Sequence, residues 1–459
     1  MADHDDVLGR AFELAKAHLE GLPERHVGPT ADAAQLRDAL GGDLPEEGED
    51  ATAVLDELVR AADPGLVASP GPRYFGFVTG GALPAALAAD WMTAAWDQIG
   101  SYEVMSPANA AVEETCERWL LDLLGLPAGA SAGFVTGAQG ANTTCLAAAR
   151  HAVLRDAGCD VEERGLADAP TIDVVVGAQA HATIFRSLRL LGLGQGTARR
   201  IRADEQGRMD ARALEHALRE SDGPAIVCAQ AGEVNTGAFD PLEAIAQCCA
   251  QRGAWLHVDG AFGLWAAASP RLRHLVRGAE RADSWATDAH KWLNVPYDSG
   301  VAIVAHPDVH RAAMGVSGAY LPAADERREP VAYVPEASRR ARGFAVYAAL
   351  RSLGRRGVAE LVERCCALAR QMAEALDAAP GMRVLNDVVL NQVLVGLDDP
   401  SATADALAGI QADGTCWVGG TTWNGRPAIR VSFSNWSTTP DDVARSSAVI
   451  ASSVRSAVP

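Results

Sequence analysis

Two short apolar runs, each delivering a charged side chain at its end, constrain this chain more than any other feature. Ala254 to Val258 reads as a buried strand and presents Asp259, within His257-Val258-Asp259-Gly260-Ala261. Ser284 to Thr287 reads as the next strand and leads through Asp288-Ala289-His290 to Lys291 and Trp292. Taken singly, an aspartate after a strand is most often a cap or turn residue, and a lysine a solvated charge. Strand-like and helix-like segments alternate from about residue 130 to 305, which implies a mainly parallel sheet covered on both faces. Ligands in such sheets lie beyond the carboxyl ends of the strands, where His181, Glu233, Asp259 and Lys291 all fall.

A carboxylate and a lysine presented this way suit a pyridoxal phosphate (PLP) enzyme. The lysine amine holds the cofactor aldehyde as a Schiff base, and the carboxylate keeps the pyridine nitrogen protonated so that the ring draws electrons. Upstream, the glycine-rich run from Gly133 to Thr144 opens the helical stretch Cys145 to Leu154. Glycines at a helix start let backbone N–H groups approach an anion, and the helix dipole favours its charge. Gly137, Ala138, Gln139 and Gly140 are therefore the expected cradle for the PLP phosphate. Thr171 to Gly177 and Ala225 to Ala231 read as further buried strands. Asp240, before Pro241, reads as the cap of a helix over Leu242 to Arg252.

Composition narrows the alternatives. The formal net charge of −19 argues against nucleic acid and anionic membrane surfaces as partners. Nine cysteines, without a CxxC pattern, read as buried small apolar residues of a reducing compartment, and no metal site is expected. The first residues are acidic and then amphipathic, unlike a secretory signal, and no apolar stretch reaches the ~20 residues of a membrane span, so the cytoplasm is the expected location.

The stretch Ala254 to Val304, with HVDGAFG and SWATDAHKWLNVPYDSGVAIV, resembles the pyridoxal-dependent (group II) decarboxylases, which include aromatic amino acid and glutamate decarboxylases. The likeness extends over about Leu55 to Asp442. It implies an α/β chain of the aspartate-aminotransferase-like PLP fold (fold type I), a large domain with a mainly parallel sheet and a smaller C-terminal α/β domain. It implies a cytoplasmic homodimer, a lyase acting on an L-amino acid to give the amine and carbon dioxide. It assigns His181 to stacking on the cofactor ring and to the substrate carboxylate, and adds Ala261, Asp288 and His290 to the cofactor site. Tyr74, Phe75 and Phe77, in the Gly/Pro/aromatic loop from Ser69 to Gly81, become substrate-pocket walls. The polar stretch Ala313 to Ser338 corresponds to a lid, with Tyr320 or Tyr333 as its catalytic tyrosine. Two other outcomes stay open: transamination or decarboxylation-dependent oxidative deamination to an aldehyde on the same machinery, or a non-enzymatic cofactor-binding protein.

The expected organisation is an N-terminal helical segment over residues 1–70 that packs on the partner subunit, a PLP-binding domain over 71–345 and a small domain over 346–459. Helices are expected over Val7 to Leu22, Ala51 to Ala62, Ala82 to Trp96, from Ser106-Pro107 to Leu124, and over Gly343 to Gly354. Strands are expected over Asn391 to Leu397, Thr415 to Val418 and Ala428 to Phe433, with a hairpin between Trp417 and Arg426. If Lys291 carries the cofactor, Lys291→Ala loses both the visible absorbance of bound PLP and turnover. A borohydride-reducible cofactor linkage surviving in that variant would overturn the assignment.

Overall fold

The structure, a computed structural model, describes residues 4–316 and 328–457. The chain forms two compact units, one of residues 80–370 with 386–392, the other of residues 1–79 with 371–385 and 393–459. The expected boundaries at residues 70 and 345 are not those of these units, because the first 79 residues share one unit with the C-terminal strands.

The larger unit is built on seven strands: β1 (Ser131–Val135), β2 (Asp173–Gly177), β3 (Arg199–Ile201), β4 (Ala225–Gln230), β5 (Trp255–Asp259), β6 (Ser284–Asp288) and β7 (Gly300–Val304). Their spatial order is β1-β7-β6-β5-β4-β2-β3. Neighbours from β6 to β3 run parallel, and β7 runs antiparallel to both β6 and β1. Residues of β4, β5, β6 and β7 are buried along their whole length, which explains why they read as continuous apolar runs rather than as alternating ones. The helix Ala138–Asp156 covers this sheet, packing Ala141, Cys145, Ala148 and Ala152 into one core with Val174, Ile226, Ala286 and Ala302. Seven of the nine cysteines are buried and all nine are free thiols, as small apolar residues would be. Among the described residues, no helix is long and apolar enough to cross a membrane.

The second unit carries β8 (Met382–Val384), β9 (Gln392–Leu397), β10 (Gly419–Trp423) and β11 (Arg426–Ser432), in the order β10-β11-β9-β8. Asn424 and Gly425, with φ of 48° and 76°, turn β10 into β11. Two successive positive φ values are what a two-residue hairpin turn needs, and Asn-Gly supplies them cheaply. That turn also corrects the expected strand over Thr415 to Val418. It pairs Trp423 with Arg426, and counting back along the ladder the pairing ends at Gly419 opposite Arg430. Trp417 instead makes a single bridge to Tyr74. The helix expected over Gly343 to Gly354 is found, and a second helical stretch continues to Asp377 beyond an interruption at Gly354, where φ is 62° and ψ is 176°.

Asp240 is not the cap expected of it. Pro241 stands at the start of the helix Leu242–Arg252, and the Asp240 carboxylate turns inward to accept from the backbone N–H groups of Met209 and Gln230, each at 2.7 Å. Burial pushes its pKa up to about 6 against those two donors. It therefore ties the loop before the helix Ala211–Arg219 to the end of β4, a tertiary role that local spacing does not disclose. Asp240→Ala leaves two buried N–H groups without acceptors and should cost about 2–4 kcal/mol, read as a lower urea midpoint at unchanged slope. Asp240→Asn, which keeps one acceptor oxygen, should fall between.

Candidate active site

β5 ends on Asp259, and β6 ends on Asp288, three residues before Lys291. Asp259 is 5% exposed. Its Oδ2 accepts from the Asn142 side-chain amide at 3.1 Å and its Oδ1 from the Ala261 N–H at 3.2 Å. The Ala261 carbonyl in turn accepts from the Asp288 N–H at 2.9 Å, so the two strand ends are joined through Ala261.

Asp288 is the hub. Its Oδ1 accepts from the Ala138 N–H at 2.5 Å, and its Oδ2 lies 3.0 Å from Lys291 Nζ. The Lys291 side chain is 19% exposed. Beside it, His290 Nδ1 accepts from the Ser299 N–H at 3.2 Å, and its Nε2 faces Asp288 Oδ1 at 3.4 Å. Burial lowers the His290 pKa, in spite of the opposing pull of Asp288, and its ring stacks on Tyr297 with centroids 4.2 Å apart. The chain after Lys291 is pinned by Gly80, where a Cβ would lie 1.9 Å from the Lys291 carbonyl oxygen.

The helix Ala138–Asp156 points its start at this cluster. Gly137 stands at the cap and supplies no side-chain hydrogen bond. Asp288 takes the Ala138 amide, while the amides of Gln139 and Gly140 belong to the first turn, which has no intrahelical acceptors. A Cβ at Gly137 would sit 2.8 Å from His290, and one at Gly300 would sit 2.4 Å from the Gly137 Cα. The turn is thus packed by glycines on its inner side. The Gln139 side chain reaches away to Ser187 Oγ at 2.9 Å, leaving only its backbone for a ligand. An amine, a carboxylate and a helix start with two first-turn amides left over fit PLP: the first for the aldehyde, the second for the ring nitrogen, the third for the phosphate.

His181 caps the helix Ala182–Leu190 and is exposed. Its Nδ1 accepts from the Thr183 N–H at 3.3 Å and lies 2.9 Å from Thr183 Oγ1, which accepts from Asn142 at 3.2 Å. His181 is thereby brought next to the partners of Asp259. Glu233 is buried and spends its oxygens on Asn235 and Thr236 in its own loop.

Tyr333 is placed elsewhere in its own chain. It ends the short turn Pro330–Tyr333, its carbonyl crosses Gly133 of β1, and its ring meets His310 edge-on at 5.1 Å with Arg328 4.6 Å over its face. Arg328 and His310 bond the Ser131–Ala132 end of β1, opposite to the end that leads to Gly137. Burial raises the Tyr333 pKa. The ring is therefore a packing element there, and Tyr320 lies outside the described residues. Of the expected pocket walls, all in the second unit, Tyr74 stacks on Trp417 at 5.1 Å and Phe75 meets Phe433 at 4.9 Å, both buried. Only Phe77, 65% exposed, keeps an open face.

Sequence reasoning passed over Asn142 and His257. The signal was present for His257, which stands two residues before Asp259 on a strand and so shares its face. Asn142 shows only as a buried amide on an otherwise alanine-rich helix.

The pyridoxal-dependent decarboxylase conserved domain matches residues 34–397. An aromatic-L-amino-acid decarboxylase of Bacillus atrophaeus is 28% identical over 392 residues, covering 84% of this chain and 79% of the relative. The cysteine sulfinic acid decarboxylase of Homo sapiens is 29% identical over 360 residues, covering 76% and 72%. The crystal structure of Oryza sativa TDC with PLP and tryptamine superposes with a TM-score of 0.92 at 23% identity, covering 99% and 98%, a likeness of fold. A domain match over most of the sequence settles the ancestry: the chain belongs to the pyridoxal-dependent decarboxylase family, and PLP is its cofactor.

Proposed function

We propose that this chain decarboxylates an L-amino acid and releases the amine. The observation that carries the proposal is the convergence of Asp259 and Lys291 at the ends of adjacent parallel strands, with His181 linked to Asp259 through Thr183 and Asn142. When bound, PLP supplies an electron-withdrawing pyridinium ring that weakens the bonds at the substrate α-carbon.

The chain's residues bind, orient and move protons. Lys291 Nζ, steered by Asp288 Oδ2, is the amine that holds the cofactor. Both hydrogen bonds to the Asp259 carboxylate come from N–H donors, so its remaining lone pairs serve as acceptors for a ring N–H. The amides of Gln139 and Gly140 hold the phosphate at the positive end of their helix. His181 Nδ1 accepts from Thr183, which leaves Nε2 as the site of the ring proton, and we assign this group to stacking and to returning a proton to the α-carbon.

A homodimer is part of the proposal. Met92, Val104 and Met105 are exposed on the larger unit, and Leu8, Phe12, Val54 and Leu58 on the helices of the other. Burial of these side chains against a second copy is the reading we adopt for them. Free thiols throughout suit the cytoplasm.

Incubation of the purified protein with an amino acid panel, following carbon dioxide, amine and carbonyl products, tests the reaction. Amine and carbon dioxide in equal amounts are expected. Stoichiometric aldehyde with peroxide, or a keto acid without carbon dioxide, would replace the proposal by the corresponding alternative. Asp259→Asn should lower turnover several-hundred-fold, on the order of 3–4 kcal/mol. A loss under about tenfold, or ~1.4 kcal/mol, would make the aspartate a structural one.

A further inference from the structure

Behind Asp259 runs a hydrogen-bonded line of buried side chains that the proposed reaction does not use. Asn142 Nδ2 donates to Asp259 Oδ2 at 3.1 Å, and Asn142 Oδ1 lies 2.9 Å from His257 Nε2. His257 Nδ1 lies 3.0 Å from Ser284 Oγ, which accepts from Trp255 Nε1–H at 2.9 Å. Asn142, His257 and Ser284 are all fully buried. The register explains their meeting. His257 and Asp259 share a face of β5, Ser284 pairs with His257 at the start of β6, and Asn142 comes down from the covering helix.

An ionised carboxylate only accepts, so it fixes every proton along the line. Asn142 must turn its amide nitrogen to Asp259 and its oxygen to His257. That oxygen requires a proton on Nε2. Burial lowers the His257 pKa to about 4, so the ring is neutral and Nδ1 is bare. Ser284 then gives its hydroxyl proton to Nδ1 and receives the Trp255 N–H. The second Asn142 amide hydrogen goes to Thr183 Oγ1 at 3.2 Å. Each donor has one acceptor. The reverse polarity would need a protonated Asp259.

We infer that Asn142 and His257 are positioning residues for the cofactor: through this line they aim and hold the Asp259 carboxylate at the pyridine nitrogen. The inference rests on the role proposed above for Asp259. A purely structural line would stabilise the core but leave the bound cofactor's electronic state untouched. Asn142→Leu should shift the visible band of bound PLP, weaken PLP affinity about tenfold or more and lower kcat about tenfold or more, with KM within about threefold. His257→Leu should do the same by leaving Asn142 Oδ1 without a donor. His257→Gln, whose amide can donate to that oxygen, should restore the band and most of kcat.

The inference is overturned if Asn142→Leu keeps the band and kcat within about threefold, or if His257→Gln is no better than His257→Leu. Asp259→Asn is the reference. If it stays within about tenfold of the parent, the role of Asp259 and this inference fall together. If Asp259→Asn collapses while Asn142→Leu does not, this inference alone falls. Should the leucine variants not fold, 15N shifts of histidine-labelled parent protein decide, the His257 signal being assigned by its loss in His257→Gln: a proton on Nε2 supports the line, and one on Nδ1 overturns it.

Discussion

The bond between Asp288 and the start of the helix Ala138–Asp156 is the contact on which the site depends. One carboxylate oxygen accepts the Ala138 amide and the other faces the Lys291 ammonium. A strand end, a helix start and the lysine are thereby referred to a single buried group. The arrangement uses two favourable features together: a carboxylate at the positive end of a helix dipole, and an amine beside it to balance the charge. It costs the helix one of its first-turn amides and leaves the next two for a ligand.

Several buried polar groups of the larger unit are held in hydrogen-bonded sets, and that is what makes them tolerable. An isolated carboxylate or imidazole in an apolar core costs several kcal/mol, whereas one with all its partners in place costs little. The line from Trp255 to Asp259 is one such set. The Glu113–Arg339 pair is a second, less complete one: it closes at 2.8 Å and Arg339 donates to the Phe134 carbonyl of β1 at 3.2 Å, while Arg339 Nε has no partner among the described residues. Removing one member of such a set leaves its neighbour unsatisfied, so each set holds its elements in register as well as stabilising them. Asp240 serves the loop beyond β4 in the same way.

Glycine works beside these sets by allowing close approach. Gly300 lies against the backbone of Gly137, and Gly80 against the carbonyl of Lys291, at distances no Cβ would permit. The glycine-rich turn is thus defined by what packs behind it as much as by the ligand it faces. Gly425, by contrast, is a conformational choice, supplying with Asn424 the positive φ values that close the β10–β11 hairpin.

The order of strands and helices was legible in the chain because burial on both faces of a parallel sheet writes continuous apolar runs. β4, β5 and β6 fall within a residue of where the apolar runs put them. The positions of Lys291 and Asp259 just after the apolar runs were legible too, and the chemistry of PLP asks for such a pair in the roles proposed for them. Three things were not. Asp240 looked like a cap because local spacing cannot show a carboxylate turning toward another loop. Tyr333 looked like a lid residue because it lies in a stretch without apolar regularity, whereas its ring packs between the nearby Arg328 and His310 of a separate helix. Asn142 carried no local signal, because its partners Asp259, His257 and Thr183 come from segments far along the chain. Periodicity decided which elements form, and motif pointed to the residues proposed to carry the chemistry. Only the tertiary structure decided which polar side chains meet, because hydrogen-bond satisfaction in a buried site is settled between segments and leaves no period in any one of them.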